Sequence, residues 1–195
     1  MARRLWRAGA HVVGADGSAE FLNRATRRPG GESIEWALVD ALDDEAIGAL
    51  GTFDAVVCTM VLMDLPDIAP LFRGVRRLLS AGPLVVVSAH PSFNHPDTSF
   101  WTEAGEDESG QAWSRLGVRL SAYTTPYRQP VFGIPGQKVA QWYFHRSMQQ
   151  LLTPAFGAGF VVDALLEPTF PVGTTSRFGP ELPPVLALRF VPAAI

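Results

Sequence analysis

His11-Val12-Val13-Gly14-Ala15-Asp16-Gly17-Ser18 is the stretch whose reading decides the fold. Val12, Val13 and Ala15 bracket a glycine, and an acid, a glycine and a serine follow at once. Phe21, Leu22 and Ala25 then recur at three- and four-residue steps, the spacing of one helix face. Ser18 is a good N-cap, and Glu20 lies in the first turn, where a carboxylate meets the positive end of the helix dipole. The pattern predicts a buried strand, a sharp turn and a helix. In an open α/β sheet, ligands bind at the carboxyl ends of the strands. A carboxylate there offers two oxygens, enough to accept from both hydroxyls of a ribose. Asp16 is therefore a candidate nucleoside-binding residue. The competing reading is a turn-and-cap aspartate, because Asp-Gly is common turn chemistry.

The 195 residues fit one domain with a sizeable core. Hydrophobic residues make up 47% and charged residues 18%, a globular rather than a disordered composition. The formal net charge is -3 and there is no dense basic tract. That balance argues against nucleic acid or an anionic membrane surface as the main partner. Cys58 is the only cysteine, so neither an internal disulfide nor a thiolate zinc cage can form, and a cytoplasmic setting is expected. No apolar run reaches the length of a membrane span. The basic start, Met1 to Arg7, lacks the hydrophobic segment of a secretory signal.

Outward from the opening stretch, strand and helix signals alternate. Ala2 to Ala8 reads as a helix tail closed by Gly9. Ser33 to Val39 is a second strand candidate, ending at Asp40. Asp43-Asp44-Glu45 opens a short helix that Gly51 closes, and Phe53 to Cys58 is a third strand. Pro66-Asp67 starts the clearest helix, with Ile68, Leu71, Phe72, Val75, Leu78 and Leu79 on one stripe. Leu84 to Val87 is a continuous apolar run, as a strand buried on both faces requires. This alternation predicts a mostly parallel sheet with crossover helices. Residues 91 to 143 are rich in Pro, Gly, Ser, Thr and aromatics. They read as a substrate-side insertion, with short strands near Leu120 to Tyr123 and Val131 to Phe132. Ser147 caps a further helix, and Thr153-Pro154 can restart it. Phe160 to Leu165 and Val185 to Val191 are late strands that can pair antiparallel at a sheet edge.

The order of these pieces resembles the class I S-adenosylmethionine-dependent methyltransferases, and most closely the small-molecule branch called the type 11 methyltransferase domain. The likeness is carried by Val12 to Ser18, Val39-Asp40-Ala41, Phe53 to Cys58, the Arg76-Arg77-Leu78-Leu79 helix end, Gly159-Phe160-Val161-Val162 and Phe144-His145-Arg146. The resemblance implies a Rossmann-like α/β sheet with an antiparallel edge strand, S-adenosyl-L-methionine as cofactor and a small-molecule methyl acceptor. By position, Asp16 with Gly17 and Ser18 would hold the ribose, Asp40 and Ala41 the adenine, and Thr59 and Met60 the wall near the methionine part. The family's glycine-rich signature, roughly Asp-x-Gly-x-Gly-x-Gly, should precede Asp16 at the end of a central strand. This chain starts inside the helix that follows that turn. The expectation is a domain truncated at its N-terminus, whose first strand comes from a longer natural protein or from a second chain.

Several residues keep two readings. An acid like Asp16 also serves nicotinamide-binding Rossmann units. Asp40 can bind adenine or cap the acidic helix after it. His90 and His145 are weak candidates for a general base, since imidazole titrates near neutrality; otherwise they are a strand-end histidine and a histidine bonded to backbone. Arg146 could bind an acceptor carboxylate or, in the favoured reading, pair with Glu167. Trp101, Trp113, Tyr123, Tyr127, Trp142, Tyr143 and Phe144 could line an apolar pocket or form a satellite core. His90 and His95 lack the spacing of a metal motif, so no metal is expected. The alternative to an enzyme is a non-catalytic binding or assembly subunit that keeps the fold without a complete cofactor pocket.

Overall fold

The computed structural model describes residues 1–95, 97–133 and 136–194. Helix α1 (Ala2–Arg7) leads through Gly9, at φ 94°, into β1 (Val13–Asp16), α2 (Ala19–Thr26) and β2 (Glu35–Leu38). β1 and β2 are parallel, with Asp16 opposite Leu38. Ser18 caps α2 as expected, accepting from the Phe21 N–H at 3.3 Å. The expectation of a buried first strand fails. Val13 and Gly14 are half-buried, Ala15 and Asp16 are exposed, and neither α1 nor α2 has a buried residue. The physical reason is that β1 has a partner on one edge only. Gly14 is needed where it stands, because a Cβ there would lie 2.4 Å from the Trp36 ring that crosses it.

The main core lies elsewhere. Helix α3 (Asp44–Gly48), β3 (Val56–Thr59), α4 (Ala69–Leu78), β4 (Leu84–Ala89), α5 (Met148–Gly157), β9 (Phe160–Leu166) and β10 (Val185–Pro192) build it. The sheet order is β3-β4-β10-β9. β3 and β4 are parallel, and β10 is antiparallel to both β4 and β9. The antiparallel strand is thus β10, inside the sheet, and not the edge strand. The expected sheet is also divided, because β1-β2 forms a separate pair. Along β4, Leu84, Val86 and Ser88 are buried while Val85, Val87 and Ala89 are half-buried. One face is therefore covered fully, which corrects the expectation of burial on both faces.

That covered face meets α4 and α5. Ile68, Phe72, Val75 and Leu78 of the predicted stripe are buried, and Asp67 accepts from the Ala69 N–H at 2.9 Å to start α4. Phe72 is fully buried, with ring centroids 5.7 Å from Phe190 and 6.5 Å from Phe160 in edge-to-face geometry. Gly74 lets α3 approach, since a Cβ there would lie 2.6 Å from Ile47. Helix α5 runs without interruption through Pro154. A capping box between Ser147 and Gln150 starts it, and Gly159, at φ 82°, closes it.

Residues 91 to 143 hold two antiparallel hairpins: β5 (Ser99–Glu106) with β6 (Ala112–Arg119), and β7 (Tyr127–Val131) with β8 (Gln141–His145). Leu120 to Tyr123 is turn instead of strand. The sequence offered no clean alternation there. Gly105 and Gly117 sit in the β5–β6 ladder under Trp113 and Trp101, the rings filling the space a side chain would take.

Candidate functional site

The carboxyl ends of β1, β2, β3 and β4 carry most of the residues singled out above. β1 and β2 are parallel neighbours, and the Val39 N–H donates to the Asp16 carbonyl at 3.1 Å. Asp16 is exposed at the β1 tip, where its Oδ1 accepts from the Ser18 N–H at 2.8 Å. The turn role is therefore real. It leaves the second carboxylate oxygen without a protein partner among the described residues. A Cβ at Gly17 would meet only the Val39 carbonyl, at 3.7 Å, so space does not demand glycine there. Asp40 is exposed past β2 and accepts from the Leu42 N–H at 2.9 Å, with half-buried Ala41 between them. The cap of α3 is Asp43, which accepts from the Ala46 N–H at 2.9 Å, and so the capping role expected of Asp40 falls to its neighbour.

At the β3 tip the chain kinks. Met60 stands at φ 57°, a left-handed conformation that costs a non-glycine residue energy, and its side chain is 45% exposed. Its N–H is held by the Val87 carbonyl at 2.7 Å. The hydroxyl of Thr59, one residue earlier, is buried without a hydrogen-bond partner among the described residues. Two open acids on adjacent tips offer carboxylate oxygens to hydroxyl or amine donors. Cys58, just below, is buried, and its thiol is pushed up to about 12.

The histidines are engaged in the fold. His90 follows β4, and its Nε2 lies 2.7 Å from Glu167 Oε1 while its Nδ1 accepts from the Ser92 N–H at 3.2 Å. Neutral His90 therefore carries its proton on Nε2 and gives it to the carboxylate. His145 at the end of β8 is 2% exposed, and its Nε2 lies 2.8 Å from the Tyr123 carbonyl. Burial holds its pKa below the ordinary value of 6.5, with His95 and Arg146 pushing the same way. The His95 ring meets it edge-on at 4.1 Å, and His95 Nε2 and His145 Nδ1 are both buried without partners.

Arg146 does not pair with Glu167, which His90 takes. Its guanidinium donates to three carbonyls, Leu62 at 2.9 Å, Leu65 at 2.6 Å and Pro66 at 2.8 Å. These belong to a 3-10 turn (Leu62–Asp64) and the residues after it. Gln141 adds a bond from its Nε2 to Asp64 Oδ1 at 3.0 Å. The β7–β8 hairpin is thereby fixed against the loop that leaves β3. Sequence reading missed these ties, and it missed Glu167 as a histidine partner, because each joins residues about eighty positions apart.

A cavity of about 530 Å³ lies between the segment after β4, the β7–β8 hairpin and the loop between β9 and β10, with Phe93, Phe100 and Tyr143 in its wall. Tyr143 also lines a 20 Å³ void between the 3-10 turn and the end of β4. Burial pushes the Tyr143 phenol up to about 12 despite Arg146 and Arg177 nearby, so it stays protonated and donates to the Asn94 carbonyl at 3.1 Å. The other aromatics divide. Trp101 and Trp113 cover their own hairpin, and Trp142 is half exposed beside Arg128. Among the described residues no group of three His, Cys, Asp or Glu could hold a metal ion, and no helix is long and apolar enough to cross a membrane.

Residues 1–85 match a family model described as a methyltransferase domain, a segment that contains Asp16, Asp40, Thr59 and Met60. No curated protein matches the sequence at a significant level. Among solved structures, a putative S-adenosylmethionine-dependent methyltransferase from Listeria monocytogenes is 16% identical, with a TM-score of 0.69 over 98% of this chain and 85% of that one. One from Mesorhizobium loti is 21% identical, with a TM-score of 0.64 over 97% and 84%. The glycopeptide N-methyltransferase MtfA, complexed with S-adenosyl-L-methionine, is 15% identical, with a TM-score of 0.59 over 96% and 79%. The chain is thus similar to a methyltransferase domain over its first 85 residues, and over nearly its whole length it shares the fold of solved S-adenosylmethionine-dependent methyltransferases.

Proposed function

We propose that this protein transfers a methyl group from S-adenosyl-L-methionine to a small molecule. The observation that carries the reading is the pair of exposed acids, Asp16 and Asp40, on the tips of adjacent parallel strands inside the matched segment. When bound, the cofactor supplies a methyl already activated on a sulfonium. Asp16 accepts from the ribose hydroxyls, with Gly17 and Ser18 shaping the turn. Asp40 and the Ala41 backbone meet the adenine edge. Thr59 and Met60 form the wall beside the methionine part, where the Thr59 hydroxyl gains a partner. The protein's work is alignment of nucleophile and methyl and exclusion of water. His90 and His145 serve this by holding the loop after β4 and the β8–α5 junction.

The same reading includes a further strand between β1 and β3, supplied by more of the natural protein or by a second chain. It is supported by the free edges of these strands, each of which pairs on one side only, and by exposed Leu38 and Val57 near them. Calorimetric titration with S-adenosyl-L-methionine tests both parts. Saturable one-to-one binding is expected, and it strengthens when residues encoded in frame ahead of Met1 are included. No binding with or without them overturns the cofactor reading; equal affinity in both forms overturns the strand.

A further inference from the structure

The 530 Å³ cavity contains one feature that the cofactor reading leaves unused. Arg177 stands in its wall, in the long loop between β9 and β10. Several other arginines of the chain are engaged by protein groups. Arg24, Arg73, Arg77 and Arg189 pair with carboxylates, and Arg76 and Arg146 donate to backbone carbonyls. Arg177 has no carboxylate within ion-pair distance among the described residues. Its guanidinium lies over two rings, 5.3 Å from Phe100 and 4.8 Å from Phe178, and donates to Asn94 Oδ1 at 3.2 Å. Asn94 is itself anchored, its Nδ2 donating to Pro184 O at 2.7 Å and His90 O at 3.3 Å. The cation is therefore held in place beside the β4 tip with most of its five donors unspent.

A histidine stands in the same wall. His95 lines the cavity and is 5% exposed. Its Nδ1 accepts from the Asp97 N–H at 3.0 Å, so the neutral ring carries its proton on Nε2, and that buried nitrogen has no partner. The remaining wall mixes aromatic rings, Phe93, Phe100, Phe132 and Tyr143, with the polar side chains of Thr98 and Gln129. The volume, about 530 Å³, is that of a small-ligand site.

We infer that this cavity takes a flat aromatic carboxylate, with Arg177 as the anchor of its anion and the rings as the bed of its apolar body. As the methyl acceptor of this protein, that ligand rests on the function proposed above; as a binding site, it stands without it. Tyr143 is shared with the void at the end of β4.

The test is equilibrium titration by protein-observed NMR with benzoate and indole-3-acetate, each against its neutral primary amide. The acids should bind wild type about tenfold or more tightly than the amides, as a charge-assisted, forked contact allows. Arg177→Met should abolish that preference while leaving amide affinity within about twofold, since the rings and the cavity remain. Arg177→Lys, which keeps the charge without the fork, should retain part of it; this variant decides the matter if Arg177→Met fails to fold. Equal binding of acid and amide by wild type, binding of neither, or an unchanged preference in the folded variants would overturn the inference. No cofactor is needed, so its failure and that of the methyl-transfer reading are separate results.

Discussion

Replacing Arg146 by methionine removes three hydrogen bonds at once and keeps most of the side chain's apolar stem. The acceptors differ in what they lose. Leu62 is buried, so its carbonyl is left without a partner. Leu65 is half-buried and Pro66 exposed, so water replaces the guanidinium there in part or in full. Taking about 1–3 kcal/mol for the buried carbonyl and about 1 kcal/mol for the other two together, the net loss is about 2–4 kcal/mol. Burial already disfavours the charged form of Arg146, which places the estimate below the sum of three charged bonds. Urea denaturation followed by circular dichroism measures it. With a slope of about 2–3 kcal/mol/M, the midpoint should fall by about 1 M. Arg146→Lys should lie between, because one ammonium cannot span three carbonyls in the same geometry. A shift under about 0.2 M for the methionine variant would show that the hairpin is held by other contacts.

Three further outcomes follow from the same geometry. Phe72→Ala should cost about 3–5 kcal/mol, since the ring is fully buried between Phe160 and Phe190, and thermal or urea unfolding reads it. Folded His145 binds its proton less readily than the unfolded chain does, so its neutral burial contributes stability above pH about 6.5 that is lost as pH falls below that value. The melting temperature should therefore drop between pH 8 and pH 5.5 (about one unit either side of histidine's ordinary range), and by less in His145→Gln; an equal drop in both would contradict this. Gly74→Ala should destabilise the α3–α4 contact, because the new Cβ meets Ile47 at 2.6 Å, and an unchanged unfolding midpoint would show that the helices can part.

Much of the main core was legible because its signals are local. The stripe of α4, the cap at Ser147, and the apolar runs of β3, β4, β9 and β10 each depend on residues within a few positions of one another. The burial of β1 was misread for the opposite reason: Val12 and Val13 announce a strand, but burial depends on neighbours that short-range pattern does not reveal. The insertion was the least legible part. Its β5–β6 hairpin is stabilised by tryptophans laid over glycines across the ladder, a pairing that no period of two or 3.6 displays. The acids at the strand tips could be read from the sequence, since a strand, an acid and a turn are contiguous. Arg177 and its partners could not, because Asn94, Phe100 and Arg177 come together only through the loop between β9 and β10.

The affinity for S-adenosyl-L-homocysteine of wild type and of Asp16→Asn, measured by calorimetry, tests the central claim most directly. The account predicts saturable binding by wild type and a loss of about 10- to 100-fold in the variant, the worth of a charged acceptor exchanged for a neutral one of the same shape. The turn itself should survive, because the amide oxygen of the substituted side chain can still accept from the Ser18 N–H. Equal affinity in the two proteins, or no binding by either, would contradict the assignment of this strand tip to the cofactor.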